Sequence, residues 1–388
     1  MRALGGFTNG VWADVFASED EDDDSPGCEE QLKQSLTDFL RSQNLIVLTG
    51  LGTSLCIKGE DDSKLAPTMW DLWNGIEEEV TEERLKWVCE HVGQSMVEDE
   101  DTGEDVYKQD IELLLSKCLL SQEFKRHKNV AMFIRKAEAV ISKLCNFVSD
   151  DIALDVHEAF LRRIARRPTK HSRTKLFTTN YDLAFETAAS RIHFVTVDGF
   201  SHTIPQEFDS SYFAYDFVRR DDDGSSPNYI QNVFHLLKVH GSIDWQNKGE
   251  RIIKTEAPDD PVLIYPRHSK FELSYESPFL DLISRFQSSL RQTETSLLVV
   301  GFGFNDKHLT QPILSAIRSN VGLRTIVVSP SLETAGGEAV EKIQGLIESG
   351  DSRLSLVAGT FEQFVPLIPD LISETEEERH RRRMRGEA

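Results

Sequence analysis

Four short segments carry side chains that could hold a phosphate or move a proton, and each follows an apolar run. The first is Leu48-Thr49-Gly50-Leu51-Gly52-Thr53-Ser54. Glycines at i and i+2 let a backbone approach a pyrophosphate, with amide hydrogens and the Ser54 hydroxyl as donors. Leu55 and Cys56 follow, so this is neither a complete G-x-G-x-x-G nor a Walker-type loop, and a tight strand-to-helix turn would read the same. The second is Phe177-Thr178-Thr179-Asn180-Tyr181-Asp182, whose Asn180 and Asp182 either cap a helix or project into a cleft as recognition groups. The third, Leu237-Lys238-Val239-His240-Gly241-Ser242, puts an imidazole at the rim of a sheet. His240 there suits a proton taken from a ribose hydroxyl or a water, although a structural hydrogen bond is the plainer role for a lone histidine. The fourth is Val299-Val300-Gly301-Phe302-Gly303-Phe304-Asn305-Asp306, a second glycine pair able to approach a nucleotide. Its Asn305 and Asp306 would contact ribose hydroxyls or cap a helix starting near Lys307.

These segments need a rigid support, and the surrounding pattern supplies one. Candidate strands are Asn44–Gly50, Lys175–Thr179, His193–Val197, Val233–His240, Val262–Tyr265, Ser296–Gly301 and Arg324–Ser329. Helical periodicity lies between several of them, near 183–190, 278–290, 307–318 and 333–349. Such alternation predicts an α/β fold, a doubly wound and mostly parallel sheet that binds ligands beyond the carboxyl ends of its strands. From Met69 to Arg167 the pattern is helical instead: Trp70, Trp73, Ile76 and Val80 recur at helical spacing, as do Ile111, Leu114, Leu115 and Cys118. The expected organisation is a flexible arm over 1–28, disordered or docked on a neighbour, and a Rossmann-like domain over 29–68 and 168–374. A helical insertion over 69–167 interrupts that domain, and a charged tail follows over 375–388.

Composition narrows the function classes. The chain has 388 residues, with 43 Lys and Arg against 65 Asp and Glu, a formal charge of −22. That balance argues against direct nucleic-acid binding, and the clusters Arg162 to Arg167 and Arg379 to Arg385 read as a solvated helix end and a tail. The acidic stretch Glu19 to Asp24 reads as a solvated segment. No apolar run reaches the roughly 20 residues of a membrane span. Five cysteines, none in a C-x-x-C pair, exclude a disulfide framework and a thiolate zinc site of familiar spacing, and suit a reducing cytoplasm. No cluster of carboxylates suggests a metal site. Tyr265, Arg267 and Tyr275 read as structural residues.

Taken in order, the four segments resemble the sirtuin family. Gly50-Leu51-Gly52-Thr53-Ser54 resembles that family's G-A-G-x-S loop, Thr178-Thr179-Asn180-Tyr181-Asp182 its T-Q-N-I-D segment, and His240-Gly241-Ser242 matches H-G-S outright. The T-T-N-Y-D and G-F-G-F-N-D spellings resemble the bacterial anti-phage branch. The resemblance implies a Rossmann-like sheet with an inserted lobe and NAD⁺ bound between them as substrate. By it, Gly50, Gly52, Thr53 and Ser54 would cradle the pyrophosphate, and Asn180 would hold the nicotinamide ribose and the attacking water. Asp182 would accept from the nicotinamide carboxamide, and His240 would be the general base. Thr179, Gly241 and Ser242 would line the cleft, with Gly301, Gly303 and Asn305 bordering the adenosine half.

The departures from the family pattern matter too. The two C-x-x-C pairs of zinc-bearing deacetylases are missing, as is their G-I-P-D-F-R segment after the first loop, with Ala66-Pro67-Thr68-Met69-Trp70-Asp71 standing nearby instead. Water then replaces a peptide as acceptor, and the implied activity is an NAD⁺ glycohydrolase without zinc. The alternatives are a non-catalytic sensor of NAD⁺ or ADP-ribose and an ADP-ribosyltransferase. The resemblance further implies a homo-oligomer partnered by a HerA-like ring ATPase.

Overall fold

A computed structural model describes residues 1–17, 26–98, 103–220, 228–256, 258, 261–263, 277–334, 337–373, 379–380 and 383–384. The acidic stretch Glu19 to Asp24, the residues Tyr265, Arg267 and Tyr275, and part of the basic run Arg379 to Arg385 lie outside the described residues. The central element is a nine-stranded sheet. Its order is Ala13–Asp14, Arg2–Gly5, Leu354–Ala358, Arg324–Val328, Thr295–Val300, Asn44–Thr49, Lys175–Thr178, Val233–Lys238 and Val195–Val197. From Leu354–Ala358 onward all neighbours are parallel, as the doubly wound reading requires.

Both sheet faces are covered, so the central strands are apolar throughout rather than alternating. Leu45 and Val47 turn to one face, with Leu32 and Leu36 of helix Glu29–Leu40 and Phe160 of helix Asp155–Ala165 in the same core. Ile46 and Leu48 turn to the other, joined by Phe286 of helix Phe279–Leu290, Ile313 of Lys307–Ser319 and Ile343 of Gly337–Glu348. The period of two along a strand makes this division automatic once the register is set.

Several features differ from the sequence expectation. Residues 2–5 are no flexible arm: Arg2–Gly5 pairs antiparallel with Leu354–Ala358, and Ala3 and Leu4 are completely buried. The short apolar stretch escapes notice because its partner strand lies far along the chain. Trp70 is 56% exposed, so it leaves the predicted stripe, while Trp73, Ile76 and Val80 are buried as their spacing implies. The segment Ala66 to Asp71 serves locally as a helix start. The Thr68 hydroxyl accepts from the Asp71 amide, and Asp71 accepts from the Thr68 amide at 2.7 Å, a capping box opening helix Met69–Val80.

The helices between Met69 and Cys145 bury their own core around Ile76, Val88, Leu114 and Phe133, and Tyr181 and Ile243 from the sheet side plug into it. This segment also contains a short hairpin, Met96–Glu98 with Asp105–Tyr107. A small sheet with the order Arg251–Lys254, Gly241–Lys248, Pro261–Leu263 continues from the His240 segment.

His157 is entirely buried, its ring 5.1 Å from that of Phe185 and 5.2 Å from that of Phe361, and neither ring nitrogen has a partner. A buried polar atom without a hydrogen bond costs about 1–3 kcal/mol. His157→Phe keeps the ring packing and removes both nitrogens. It is expected to raise stability by about 1 kcal/mol after some overpacking cost, read as a higher urea midpoint; a lower midpoint would reject this account.

Candidate functional site

The last residues of four adjacent strands are register partners: Val300 with Thr49, Thr49 with Thr178, Thr178 with Lys238. The four sequence segments therefore leave the sheet at one level, side by side. The chain builds the sheet outward on one side of Asn44–Thr49, then returns to build the other side from Thr295–Val300. That reversal opens a crevice at the carboxyl ends, where the glycine loops stand.

The two glycine loops touch each other. The Gly52 amide donates to the Gly301 carbonyl at 3.0 Å, and a Cβ on Gly52 would fall 2.5 Å from Gly301 Cα. A Cβ on Gly50 would lie 2.8 Å from the Gly301 carbonyl oxygen. Gly301 itself has φ +62, and its Cβ would meet Gly52 and Thr53 backbone at 2.6–2.8 Å. These glycines thus permit a backbone-to-backbone crossing, a requirement independent of any phosphate. Gly301→Ala would combine a left-handed alanine, about 1–2 kcal/mol, with overpacking of about 1–3 kcal/mol. A loss of roughly 2–5 kcal/mol is expected in chemical denaturation, and wild-type stability would show that the loops are not so tightly apposed.

Beside this crossing lies a buried polar network. Asn180 Nδ2 donates to the Gly50 carbonyl at 3.1 Å and to the Ser54 hydroxyl at 2.8 Å. Ser54 in turn donates to Asp182 Oδ2 at 2.7 Å, while Asp182 Oδ1 accepts from the Ala184 amide at the start of helix Ala184–Arg191. Asp182 therefore acts at the helix start as well as in the network, whereas Asn180 reaches across to the glycine loop. Thr53 donates to the Gly50 carbonyl, and the amides of Thr53 and Ser54 bond to Gly50 and Leu51 carbonyls. Any phosphate using these donors must displace those bonds. Thr179 is half-buried, with its amide on the Thr49 carbonyl.

Lys238 holds this arrangement from below. Its Nζ donates to the carbonyls of Tyr181 and Asp182 and pairs with Glu186 at 3.0 Å. A cation closing a strand that is apolar apart from His235 is the sequence signal that identifies it. Ser242, completely buried, donates to the Tyr181 carbonyl at 3.4 Å. Gly241 has φ +91, and a Cβ there would collide with the Val262 carbonyl oxygen at 2.0 Å, so that position too is set by backbone packing.

His240 is 2% exposed, and its Nε2 lies 3.0 Å from His308 Nε2. Burial lowers His240 to about 3, and burial plus the neighbouring imidazole lowers His308 to about 4, so both rings are neutral near pH 7. Asp306 is the N-cap of helix Lys307–Ser319 but makes no side-chain cap bond. The ligand atoms of His240, Asp306 and His308 lie within 4.8 Å of one another, a grouping able to hold a metal ion. Only the fold reveals it, since the histidines are far apart in sequence and no second carboxylate accompanies Asp306 in its segment. Gly303 and Asn305 are exposed at the rim.

The helical segment supplies one more group. Glu112 accepts from the Tyr181 hydroxyl at 3.2 Å, and burial, then the charge of Asp306, raises it to about 8. No motif surrounds Glu112, so nothing in its local sequence marks it. Separately, a cavity of about 1050 Å³ lies between helix Lys128–Cys145 and the small sheet, its wall including Arg135, Lys143, Leu183, Asp244 and Lys254. None of the predicted site residues lines it; Leu183 and Ile243, on its wall, are the chain neighbours of Asp182 and Ser242. Among the described residues no helix is long and apolar enough to cross a membrane.

Comparison with solved structures finds a Sir2 enzyme at 12% identity, covering 92% of this chain and 99% of that chain, with a TM-score of 0.40. A Sir2 homolog–NAD complex is found at 15% identity, covering 95% of this chain and 96% of that chain, with a TM-score of 0.41. No curated protein matches the sequence. Residues 174–344, which contribute the Asn180, His240 and Gly301 segments, match the family model described as the SIR2-like domain.

Proposed function

We propose that the chain is an NAD⁺ glycohydrolase that cleaves the nicotinamide–ribose bond with water to give nicotinamide, ADP-ribose and a proton. One observation carries this reading: a buried, neutral His240 stands at the same level of the sheet as the Asn180–Ser54–Asp182 network and the two glycine loops. The match to the SIR2-like domain over residues 174–344 supports it.

Loss of neutral nicotinamide leaves an oxocarbenium-like ribosyl cation, which is best stabilised by dipoles fixed in advance in a dry site. Asn180 and Asp182, each less than a tenth exposed and already oriented by Ser54 and Lys238, meet that description. The glycine crossing would face the pyrophosphate, with Gly303 and Asn305 on the open adenosine side. His240 Nε2 would take the proton of a ribose hydroxyl or of the attacking water. Its surroundings disfavour a lasting imidazolium, so the proton passes over 3.0 Å to His308, which is partly open to solvent, and from there to bulk water as the released proton. His240, Asp306 and His308 would also fit a metal ion, but the cleavage proposed here routes no step through one.

The test is incubation of the purified chain with NAD⁺ and chromatographic resolution of products. Equal amounts of nicotinamide and ADP-ribose are expected; a labelled protein or nucleic acid would instead indicate ADP-ribosyl transfer. On the T-T-N-Y-D and G-F-G-F-N-D spellings we further place the activity in anti-phage defence, restrained in a homo-oligomer with a HerA-like ring ATPase. Absence of turnover both alone and with that ATPase would sink the enzyme in favour of a nucleotide sensor.

A further inference from the structure

At the opposite, amino-terminal ends of the same strands lies a basic cavity that the cleft does not use. Its volume is about 150 Å³, and Arg41, Arg163, Arg166, Arg167 and His171 line it together with Ile372. In a chain with a formal charge of −22, four guanidinium groups and an imidazole around so small a space are unexpected. Arg167 is 6% exposed. Its Nη2 donates to the carbonyls of Leu40 and Ser42 and lies 3.2 Å from His171 Nδ1, but Nε and Nη1 are buried without an acceptor. Among the described residues Asp370, half-exposed, pairs at 3.9 Å with Arg166 rather than with Arg167, and Glu294 acts on His171. Burial lowers Arg167 to about 10, and no neighbouring carboxylate opposes that shift.

A buried cation without a counter-charge costs several kcal/mol, and folded proteins rarely retain one without a compensating group. We infer that this cavity is a binding site for a phosphate-class oxyanion, with the buried Arg167 as its central donor and Arg41 at its mouth. The space admits a phosphoryl-sized group. Arg41 directly follows helix Glu29–Leu40 and precedes the strand of the Gly50 loop. Arg167 follows helix Asp155–Ala165 and precedes the strand of Asn180. A bound anion therefore ties together the starts of two strands whose far ends carry the cleft. This inference stands independently of the proposed NAD⁺ cleavage.

The test is titration of the full chain with inorganic phosphate against chloride at equal ionic strength, followed by calorimetry and thermal unfolding. Saturable one-to-one binding at low millimolar phosphate is expected, with a Tm rise of roughly 2–4 °C. Saturation separates it from general salting-out, which grows steadily with concentration. Arg167→Gln should abolish the binding. Should that variant fail to fold, Arg41→Gln, at an exposed position, should weaken it about tenfold, on the scale of one charge-assisted hydrogen bond. No saturable response in the wild type, or unchanged binding in both variants, overturns the site. So does binding that emerges only when Glu374, Glu376, Glu377 and Glu378 are all changed to glutamine, which would assign the charge to the chain's own carboxylates.

Discussion

His240→Ala is expected to lower nicotinamide release from NAD⁺ by about 10²–10⁴-fold, the usual cost of removing a positioned base, while the protein stays folded. The ring makes one side-chain contact of consequence, to His308, which is partly open to solvent and can exchange that bond for water. Asn180→Ala should have a comparable effect for a different reason. It removes the amide that links the Gly50 carbonyl to the Ser54 hydroxyl and so loosens the dipoles around the reacting ribose. The pH profile separates catalysis from damage. Because burial keeps His240 and His308 neutral down to about 3 and about 4, the wild-type rate should show no limb near 6.5. Glu112, raised to about 8 by burial, titrates above that range. Wild-type rates in either purified variant, or a clear limb near 6.5, would remove His240 from the role of base.

Acid should unfold this protein steeply, beginning just below neutrality. Burial lowers His157 and His235 to about 4, as it does His308, and His240 to about 3. An unfolded histidine titrates near 6.5, so the native state binds fewer protons than the unfolded state as pH falls from there. Stability from these groups is complete above pH 6.5 and is lost progressively as pH drops toward 4. For His157 alone the shift corresponds to on the order of 3 kcal/mol. Protonating either of His240 and His308 also repels the other. Glu112 works in the opposite direction: its folded value of about 8 exceeds the unfolded one, so its contribution declines as pH rises from about 4.5 through 8. Burial also raises Glu186 and lowers His171, so two carboxyls stand against five imidazoles, which places the maximum near pH 6.5 with a sharp acid side and a shallower alkaline side. Urea midpoints measured from pH 4.5 to 8.5 would show this shape, with His157→Phe flattening the acid side and Glu112→Gln the alkaline one. Midpoints that change little between pH 6.5 and 5 would contradict the buried neutral histidines.

Much of the framework is legible in the sequence, because its signals are local. The runs Asn44–Thr49, Thr295–Val300 and Arg324–Val328 are apolar on both faces, a pattern that a strand covered by helices must have, and each was placed within a residue of its observed ends. The glycine pairs and the sequences around Asn180 and His240 stood out for the same reason: each sits where an apolar run stops. What escaped was long-range. Arg2–Gly5 reads as an arm until Leu354–Ala358 is beside it. The glycines read as phosphate cradles until Gly52 and Gly301 are seen to cross within van der Waals distance.

Local pattern marks most of the parallel strands and the side chains at their carboxyl ends, because periodicity and chain breaks are properties of neighbouring residues; it does not mark Arg2–Gly5, Ala13–Asp14 or Leu354–Ala358. The packing of the folded chain brings His308 and Asp306 to His240, carries Glu112 from the helical segment toward Asp306, and buries Arg167 with no carboxylate paired to it among the described residues. Those meetings depend on strand order in the sheet and on how the inserted helices pack over it, and such order is set by the burial of whole faces.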